Sequence, residues 1–113
     1  MMQQIPEFEI TAVPSPVPPD LVVLDVREDD EWRAGHIDGA LHIPLMELPQ
    51  RLADIPNEHQ ILVVCKVGGR SAQATQFLQA QGRDAANLSG GMVAWQGAGR
   101  DMVADDNSEP FVA

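Results

Sequence analysis

Short runs of consecutive apolar residues alternate along the chain with segments whose apolar residues recur at helical spacing. The clearest runs, residues 21–24 and 61–64, are rich in β-branched side chains, which is typical of strands buried on both faces. Residues 71–81 form the most regular helical segment, and Gly82 is expected to end it. Strands that alternate with helices predict a parallel sheet covered by helices on both faces.

Weaker patterns predict the remaining elements. Residues 8–13 alternate loosely and predict a first strand, whereas residues 84–88 predict a short later strand. Further helices are predicted over residues 28–33, 45–55 and 92–98. The proline-rich stretch 14–20 can form neither a helix nor a central strand, so it predicts a stiff surface connection.

Three positions that could contribute to a functional site follow predicted strands. Asp25, Cys65 and the pair Gly90-Gly91 each stand just after an apolar run. Because ligands of parallel α/β sheets bind beyond the carboxyl ends of the strands, we expect these positions to meet at one edge of the sheet.

Cys65 is the only cysteine, and its surroundings favour an anionic sulfur. A strand that ends in cysteine, a glycine-containing turn and a helix start together form a cup of backbone N–H groups, which would lower the thiol pKa and hold an anion. Lys66 is the only lysine, and no acid occurs between Glu58 and Asp84. Taken alone, a single cysteine after an apolar strand is usually a small buried apolar residue. Its positive neighbours favour a reactive thiolate.

Composition narrows the classes of function. The chain has 113 residues, enough for one core, and a net charge of −10, which argues against binding nucleic acid or an anionic membrane. No apolar run is long enough to cross a bilayer, and residues 1–7 lack the features of a signal peptide, so the cytoplasm is the expected location. A single cysteine cannot form an internal disulfide, so an external molecule must resolve any oxidised or sulfur-loaded state.

Three ordered motifs resemble the signatures of rhodanese-like domains, and they fall within residues 21–98 in the expected order. The motif segments are Leu24-Asp25-Val26-Arg27-Glu28, Glu31-Trp32, Gly35-His36-Ile37-Asp38-Gly39-Ala40, Ile43-Pro44, Cys65-Lys66-Val67-Gly68-Gly69-Arg70-Ser71, and Leu88-Ser89-Gly90-Gly91-Met92 with Trp95. We therefore expect one rhodanese-like domain over residues 1–113, with residues 99–113 as an acidic C-terminal strap or tail.

The resemblance implies an α/β/α sandwich with a five-stranded parallel sheet and an active-site loop between a central strand and the following helix. It implies a sulfurtransferase in which Cys65 takes sulfur from a small anionic donor such as thiosulfate, becomes a persulfide, and passes the sulfur to cyanide, a thiol or a protein acceptor. No metal or organic cofactor is implied. The residues implied to bind substrate and cradle the persulfide are Lys66, Val67, Gly68, Gly69, Arg70 and Ser71, with the Lys66 and Arg70 side chains attracting the donor.

Five residues within these motifs, expected near the site, are interpreted as structural rather than catalytic: Asp25, Arg27, His36, Gly90 and Gly91. Asp25 can accept N–H bonds from the turn that follows it. Arg27 is expected to pair with Glu31 or Asp38, and His36 to pack on a loop. The glycines are expected to allow positive φ or close approach.

The tryptophans and the two remaining histidines are also given no catalytic or metal-binding role. Trp32 and Trp95 are expected to anchor their helices in the core. His42 and His59 have no partners at ligand spacing, so no metal site is predicted.

Two alternatives to a sulfurtransferase remain open. A carrier module would hold sulfur on Cys65 for a protein partner with little turnover of free donors. A different enzyme on the same scaffold is the other alternative. A cysteine phosphatase is disfavoured, because four residues separate Cys65 from Arg70, one fewer than in phosphatases of related architecture, whereas a thiol-dependent arsenate reductase stays open with an external thiol.

Overall fold

The computed structural model describes residues 4–113 and confirms the α/β fold with a five-stranded, all-parallel sheet. The strands are β1 (Glu7–Phe8), β2 (Leu21–Asp25), β3 (Leu41–His42), β4 (Gln60–Val64) and β5 (Ala85–Leu88), in the spatial order β1-β5-β4-β2-β3. Residues 1–3, the start of the segment in which no signal peptide is predicted, lie outside the described part. Within residues 4–113, no helix has the length and hydropathy needed to span a bilayer.

Three α-helices flank the sheet: α1 (Asp29–Ala34), α2 (Gly69–Ala80) and α3 (Gly91–Gly97). The helix predicted over residues 45–55 is wrong, because this stretch forms two 3₁₀ segments, Leu45–Gln50 and Leu52–Asp54. Pro49 stands inside the first of them. In an α-helix its ring would clash with the carbonyl one turn back and its missing N–H would break a hydrogen bond, so the chain turns in short 3₁₀ steps instead.

The strand predicted over residues 8–13 is also shorter than expected. Only Glu7–Phe8 pair with β5, and Ile10–Ala12 form a 3₁₀ turn that leads into the proline-rich connection. The chain therefore leaves the sheet edge after Phe8, before it reaches the prolines that follow Val13.

The sheet separates two apolar layers, since alternate side chains of each strand point to opposite faces. On one face α2 and the 3₁₀ segments cover Ile61, Val63 and Cys65. On the other face Leu62 and Val64 lie in one cluster with Met92 and Trp95 of α3. Cys65 therefore lies on the α2 side of the sheet, at the end of its central strand.

The acidic C-terminal segment, residues 99–113, is a strap that follows the surface. Val103 and His36 exchange backbone hydrogen bonds of 2.8 and 2.9 Å, and the Phe111 N–H donates to the Ala34 carbonyl. Arg100 donates to the carbonyls of Ile10, Val13 and Pro14. These bonds tie the strap to α1 and to the N-terminal connection.

Candidate active site

Cys65 follows β4, which pairs with β2 on one side and β5 on the other. The residue is only 1% exposed. Its backbone leaves the sheet here and turns through 66–68 before α2 begins at Gly69. The position of the sulfur thus follows from the end of a fully buried strand.

Two hydrogen bonds converge on the Cys65 sulfur. The Gly68 N–H donates to Sγ at 3.1 Å, and the Ser71 hydroxyl donates to it at 3.2 Å. Gly68 has φ +113°, a conformation that a residue with a side chain rarely adopts, and this turn brings its N–H back onto the sulfur. Ser71 is fully buried in the first turn of α2, where its carbonyl accepts the Thr75 hydroxyl at 2.7 Å.

These contacts determine the ionisation of the thiol. Burial raises the pKa of Cys65, but hydrogen bonds from the Ser71 hydroxyl and from the backbone N–H groups of Ser71, Gly68 and Val67 lower it by more, and the net pKa is lowered. The thiolate is the nucleophilic form of cysteine, so this arrangement favours the reactive state.

The start of α3 supports the other side of the loop. The Met92 N–H donates to the Cys65 carbonyl at 2.8 Å, and the Val93 N–H donates to the Lys66 carbonyl at 3.0 Å. Gly91 packs so closely that a Cβ there would overlap the Cys65 carbonyl oxygen and lie 2.7 Å from that of Lys66. The closing glycine motif therefore fixes the backbone of the nucleophile.

Arg70 does not stand free beside the sulfur. Its guanidinium donates to both carboxylate oxygens of Glu31 in α1, at 2.6 and 2.9 Å. The hydrogen bond from Arg70 lowers the pKa of Glu31 to about 2, and Glu31 in turn raises the pKa of Arg70. The expected positive field at the loop is thus partly neutralised, and capture of an anionic donor by Arg70 stays a prediction. Lys66 remains exposed at the rim.

Asp25 and Arg27 form a buried pair at the end of β2. The Asp25 carboxylate accepts the Arg27 backbone N–H at 3.0 Å and its side chain at 2.8–3.1 Å. Arg27 also donates to the Gly35 carbonyl at 2.8 Å. The expected pairing of Arg27 with Glu31 or Asp38 is therefore wrong: Asp25 is closer along the chain and already buried beside it.

His36 and His42 enclose Trp32 rather than approach the sulfur. Both rings stack on the Trp32 indole, with centroid distances of 3.6 Å for His36 and 4.6 Å for His42. His36 is 7% exposed, and its Nδ1 lies 2.7 Å from the Trp32 carbonyl oxygen. Trp32 is half-buried, so its expected role as a core anchor is wrong, whereas Trp95 is 3% exposed and lies in the core as expected.

Two contacts of the site were missed by the sequence interpretation, which considered Glu31 only as a motif residue and a partner of Arg27 and gave Asn87 no role. Glu31 pairs with Arg70 from thirty-nine positions away, and Asn87 of β5 reaches the Gly68 carbonyl from nineteen positions away. A signal for Glu31 was present, because Glu28 and Glu31 have the spacing of a capping box at the start of α1. Asn87 was visible only as a polar residue in an otherwise apolar strand.

The chain is similar to several known proteins. The model of the Rhodanese-like domain family matches residues 16–98. The chain is 35% identical over 88 residues to a protein of Allochromatium vinosum named "Sulfurtransferase", covering 77% of this chain and 82% of that protein. It is 29% identical over 85 residues to the "Thiosulfate sulfurtransferase GlpE" of Pseudoalteromonas translucida, covering 74% and 81%. A rhodanese-related crystal structure from Thermoplasma volcanium superposes with a TM-score of 0.73 at 32% identity, covering 76% of this chain and 86% of that one.

Proposed function

Because the chain belongs to the rhodanese-like domain family, we propose that it transfers sulfane sulfur through a persulfide on Cys65. The observation that carries this proposal is the pair of donors, Gly68 N–H and Ser71 hydroxyl, within 3.1–3.2 Å of Sγ. Together they stabilise a thiolate at a position held by a buried strand. The proposed donor is thiosulfate and the proposed acceptor is cyanide or a thiol, as the name of the GlpE relative suggests for the donor.

The proposed reaction has two steps, and Cys65 is the nucleophile of the first. Its thiolate attacks the outer sulfur of thiosulfate, the sulfur–sulfur bond of the donor breaks, and sulfite leaves with the bonding electron pair. In the second step the acceptor attacks the outer sulfur of the persulfide, which returns Cys65 as the thiolate. Covalent catalysis of this kind divides one difficult transfer into two easier ones.

The loop backbone would serve the intermediate as well as the thiolate. In the proposed persulfide, N–H groups of residues 66–70 cradle the outer sulfur, whose charge they stabilise as preorganised dipoles. In each step a nucleophile donates an electron pair to a sulfur atom, from the Cys65 sulfur in the first step and from the acceptor's sulfur or carbon in the second, so we propose that no metal or organic cofactor takes part. A reducing compartment such as the cytoplasm would supply the external thiol that a chain with one cysteine lacks.

A carrier function is the second candidate, and one observation favours it. Arg70 is bound to both carboxylate oxygens of Glu31, so its positive charge is compensated and Lys66 at the exposed rim is left to attract a free dianion. A protein partner that delivers sulfur by direct contact would not depend on that charge. Under this alternative the same Cys65 persulfide forms, but turnover of free thiosulfate is slow.

Intact-protein mass spectrometry tests the proposal. After incubation with thiosulfate we expect the mass of one added sulfur, and after cyanide we expect its loss with a matching amount of thiocyanate. Cys65→Ser is the control, and we expect it to fold and to acquire no sulfur, because a serine hydroxyl forms no persulfide. Sulfur loading of that variant would contradict the mechanism. Loading of the native protein with very slow thiocyanate release would instead identify a carrier.

A further inference from the structure

Asn87 is a buried amide in a strand whose other residues are apolar. It lies in β5, is 1% exposed, and pairs in register with Glu7 of β1 and Val63 of β4. A buried polar group that lacks hydrogen bonds costs about 1–3 kcal/mol. An amide at this position therefore calls for a reason beyond packing, since leucine or valine would fill a central strand without that cost.

The side chain of Asn87 joins the sheet to the Cys65 loop. Its Nδ2 group donates to the Gly68 carbonyl at 3.2 Å and to the Glu7 carboxylate at 2.9 Å. Both neighbours are acceptors only, so the amide nitrogen, not its oxygen, must face them. Within residues 4–113, no group hydrogen-bonds the Asn87 Oδ1.

Gly68 is the point at which this contact reaches the sulfur. Its N–H donates to Sγ, and its carbonyl accepts both the Ala72 N–H, at 3.1 Å, and the Asn87 amide. With φ +113° and no side chain, Gly68 has no packing of its own to hold it in this conformation. The three hydrogen bonds hold it, and Asn87 supplies the only side chain among them other than the cysteine itself.

We propose that Asn87 is a positioning residue that acts through Gly68 to keep the N–H dipoles of the loop aimed at the Cys65 sulfur. Its consequence for catalysis rests on the proposed function, because only a nucleophilic Cys65 needs this alignment. The effect of Asn87 on the ionisation of the Cys65 thiol does not rest on the proposed function, and it can be measured without any sulfur donor. Asn87 itself touches neither the sulfur nor a substrate.

The surrounding charges make the proposal testable. The charged or titratable groups at this end of the sheet include Glu7, Glu9, Asp25, Arg27, Glu28, Asp29, Glu31, His42, Lys66 and Arg70. The segment that forms α3 contains none. Asn87 is neutral, so replacing it by another neutral residue alters no charge. A change in the titration of Cys65 would then report an altered loop geometry rather than an altered field.

The experiment is the rate at which iodoacetamide alkylates Cys65 between about pH 5 and pH 10. The chain has one cysteine, so the rate belongs to a single thiol. The rate rises with pH as the Cys65 thiol ionises. For Asn87→Leu, which preserves bulk but donates no hydrogen bond, we expect the midpoint of this rate–pH curve to rise by about 0.5–1 pH unit. At a fixed pH below the midpoint, we expect the alkylation rate to fall about 3- to 10-fold. Asn87→Ala is a second variant in case leucine disturbs folding, and the same shift is expected.

Gln79→Leu is the matched control. The Gln79 amide donates to the Ala85 carbonyl at 2.8 Å, at the end of β5 away from the Cys65 loop. We expect this variant to lose stability but to keep the native pH profile. An unchanged profile in both Asn87 variants, or an equal shift in Gln79→Leu, would overturn the proposal.

The experiments distinguish failure of the positioning role of Asn87 from failure of the proposed sulfur transfer. If the native protein acquires no sulfur from thiosulfate while Asn87→Leu still shifts the alkylation profile, the proposed function fails and the positioning role stands. If sulfur loads normally and the profile of the Asn87 variants is native, the positioning role fails alone. A further check is Glu7→Ala, which removes the other acceptor of Asn87 and should shift the profile less than Asn87→Leu does.

Discussion

The starts of α2 and α3 are built alike but serve opposite purposes. Each helix follows a glycine with positive φ, Gly68 or Gly90, and neither has a side-chain cap. At α2, backbone and hydroxyl donors point to the Cys65 sulfur. At α3, the first N–H groups are taken by the carbonyls of Cys65 and Lys66. A helix start can stabilise an anion only when its N–H groups are not already bonded to the chain.

The difference arises from the groups that each helix start meets at the end of the strand before it. β4 ends in a side chain that can become an anion, and the loop turns back around it. β5 ends beside that loop, so α3 meets backbone carbonyls instead. The start of α2 supplies hydrogen bonds to the reactive sulfur, and the start of α3 holds the backbone of Cys65 in place. Substitutions at the start of α2 should therefore change thiol reactivity, and substitutions at the start of α3 should change folding stability.

Gly91→Ala should have the largest effect, and it should act on folding. The added Cβ would overlap the Cys65 carbonyl in a backbone with φ +55°. We expect a loss of about 3–5 kcal/mol in the free energy of unfolding, measured by urea denaturation, because clash and positive-φ strain add together.

Gly69→Ala is the control at the start of α2. A Cβ there meets nothing within 4 Å, so we expect a change within about 0.5 kcal/mol. Equal losses in the two variants would contradict the view that close packing is confined to the α3 side.

Glu31→Gln should have the next largest effect, since it breaks the pair that occupies Arg70. The folded-state pKa of Glu31 lies at about 2, below its unfolded value, so ionised Glu31 stabilises the fold above about pH 4.5 and this contribution is lost as the pH falls towards 2. We expect the variant to be about 2–3 kcal/mol less stable at pH 7, with the gap narrowing by pH 3.

Glu47→Gln provides the comparison for that measurement. Glu47 pairs with Arg51 on the surface, where both side chains are more than one-third exposed, and such pairs contribute below about 1 kcal/mol. A gap for Glu31→Gln that is independent of pH would show that its ion pair with Arg70 is not the cause.

Ser71→Ala should have the smallest effect on folding and a clear one on reactivity. The change removes the hydroxyl donor to Sγ but keeps the backbone N–H. Because that donor favours the thiolate, its loss raises the Cys65 pKa, and we expect alkylation at pH 7 to slow by about 3- to 10-fold. Thr75→Val removes a buried hydroxyl one turn further along, and a similar slowing there would argue against a direct effect on the sulfur.

The sequence predicted the elements and residues that depend on local pattern. β2, β4 and α2 were predicted from uninterrupted apolar runs or regular spacing, and the Cys65 loop is one contiguous segment. Pro49 changed the expected helix into 3₁₀ turns, because one residue can override the spacing of its neighbours.

The partners of polar side chains were harder to predict. Arg70 could have paired with any of several acids, and only the packing of α1 against the loop selects Glu31. Asn87 likewise gains its role from the neighbouring strand order. Such contacts are set by tertiary structure, and no periodicity records them.

The C-terminal strap determines how much of the chain must be included when the domain is fused to another protein. Residues 99–113 lie outside the span that the family model covers, yet the Trp95 indole donates to the Asp101 carbonyl and the Arg100 guanidinium lies 5.2 Å from the Trp95 ring centre. A fusion protein that borrowed only residues 16–98 would carry the active-site loop while leaving Trp95 open to water. The segment that such a fusion needs is therefore longer than residues 16–98, and it extends as far as Val112, whose partly buried side chain packs against the core.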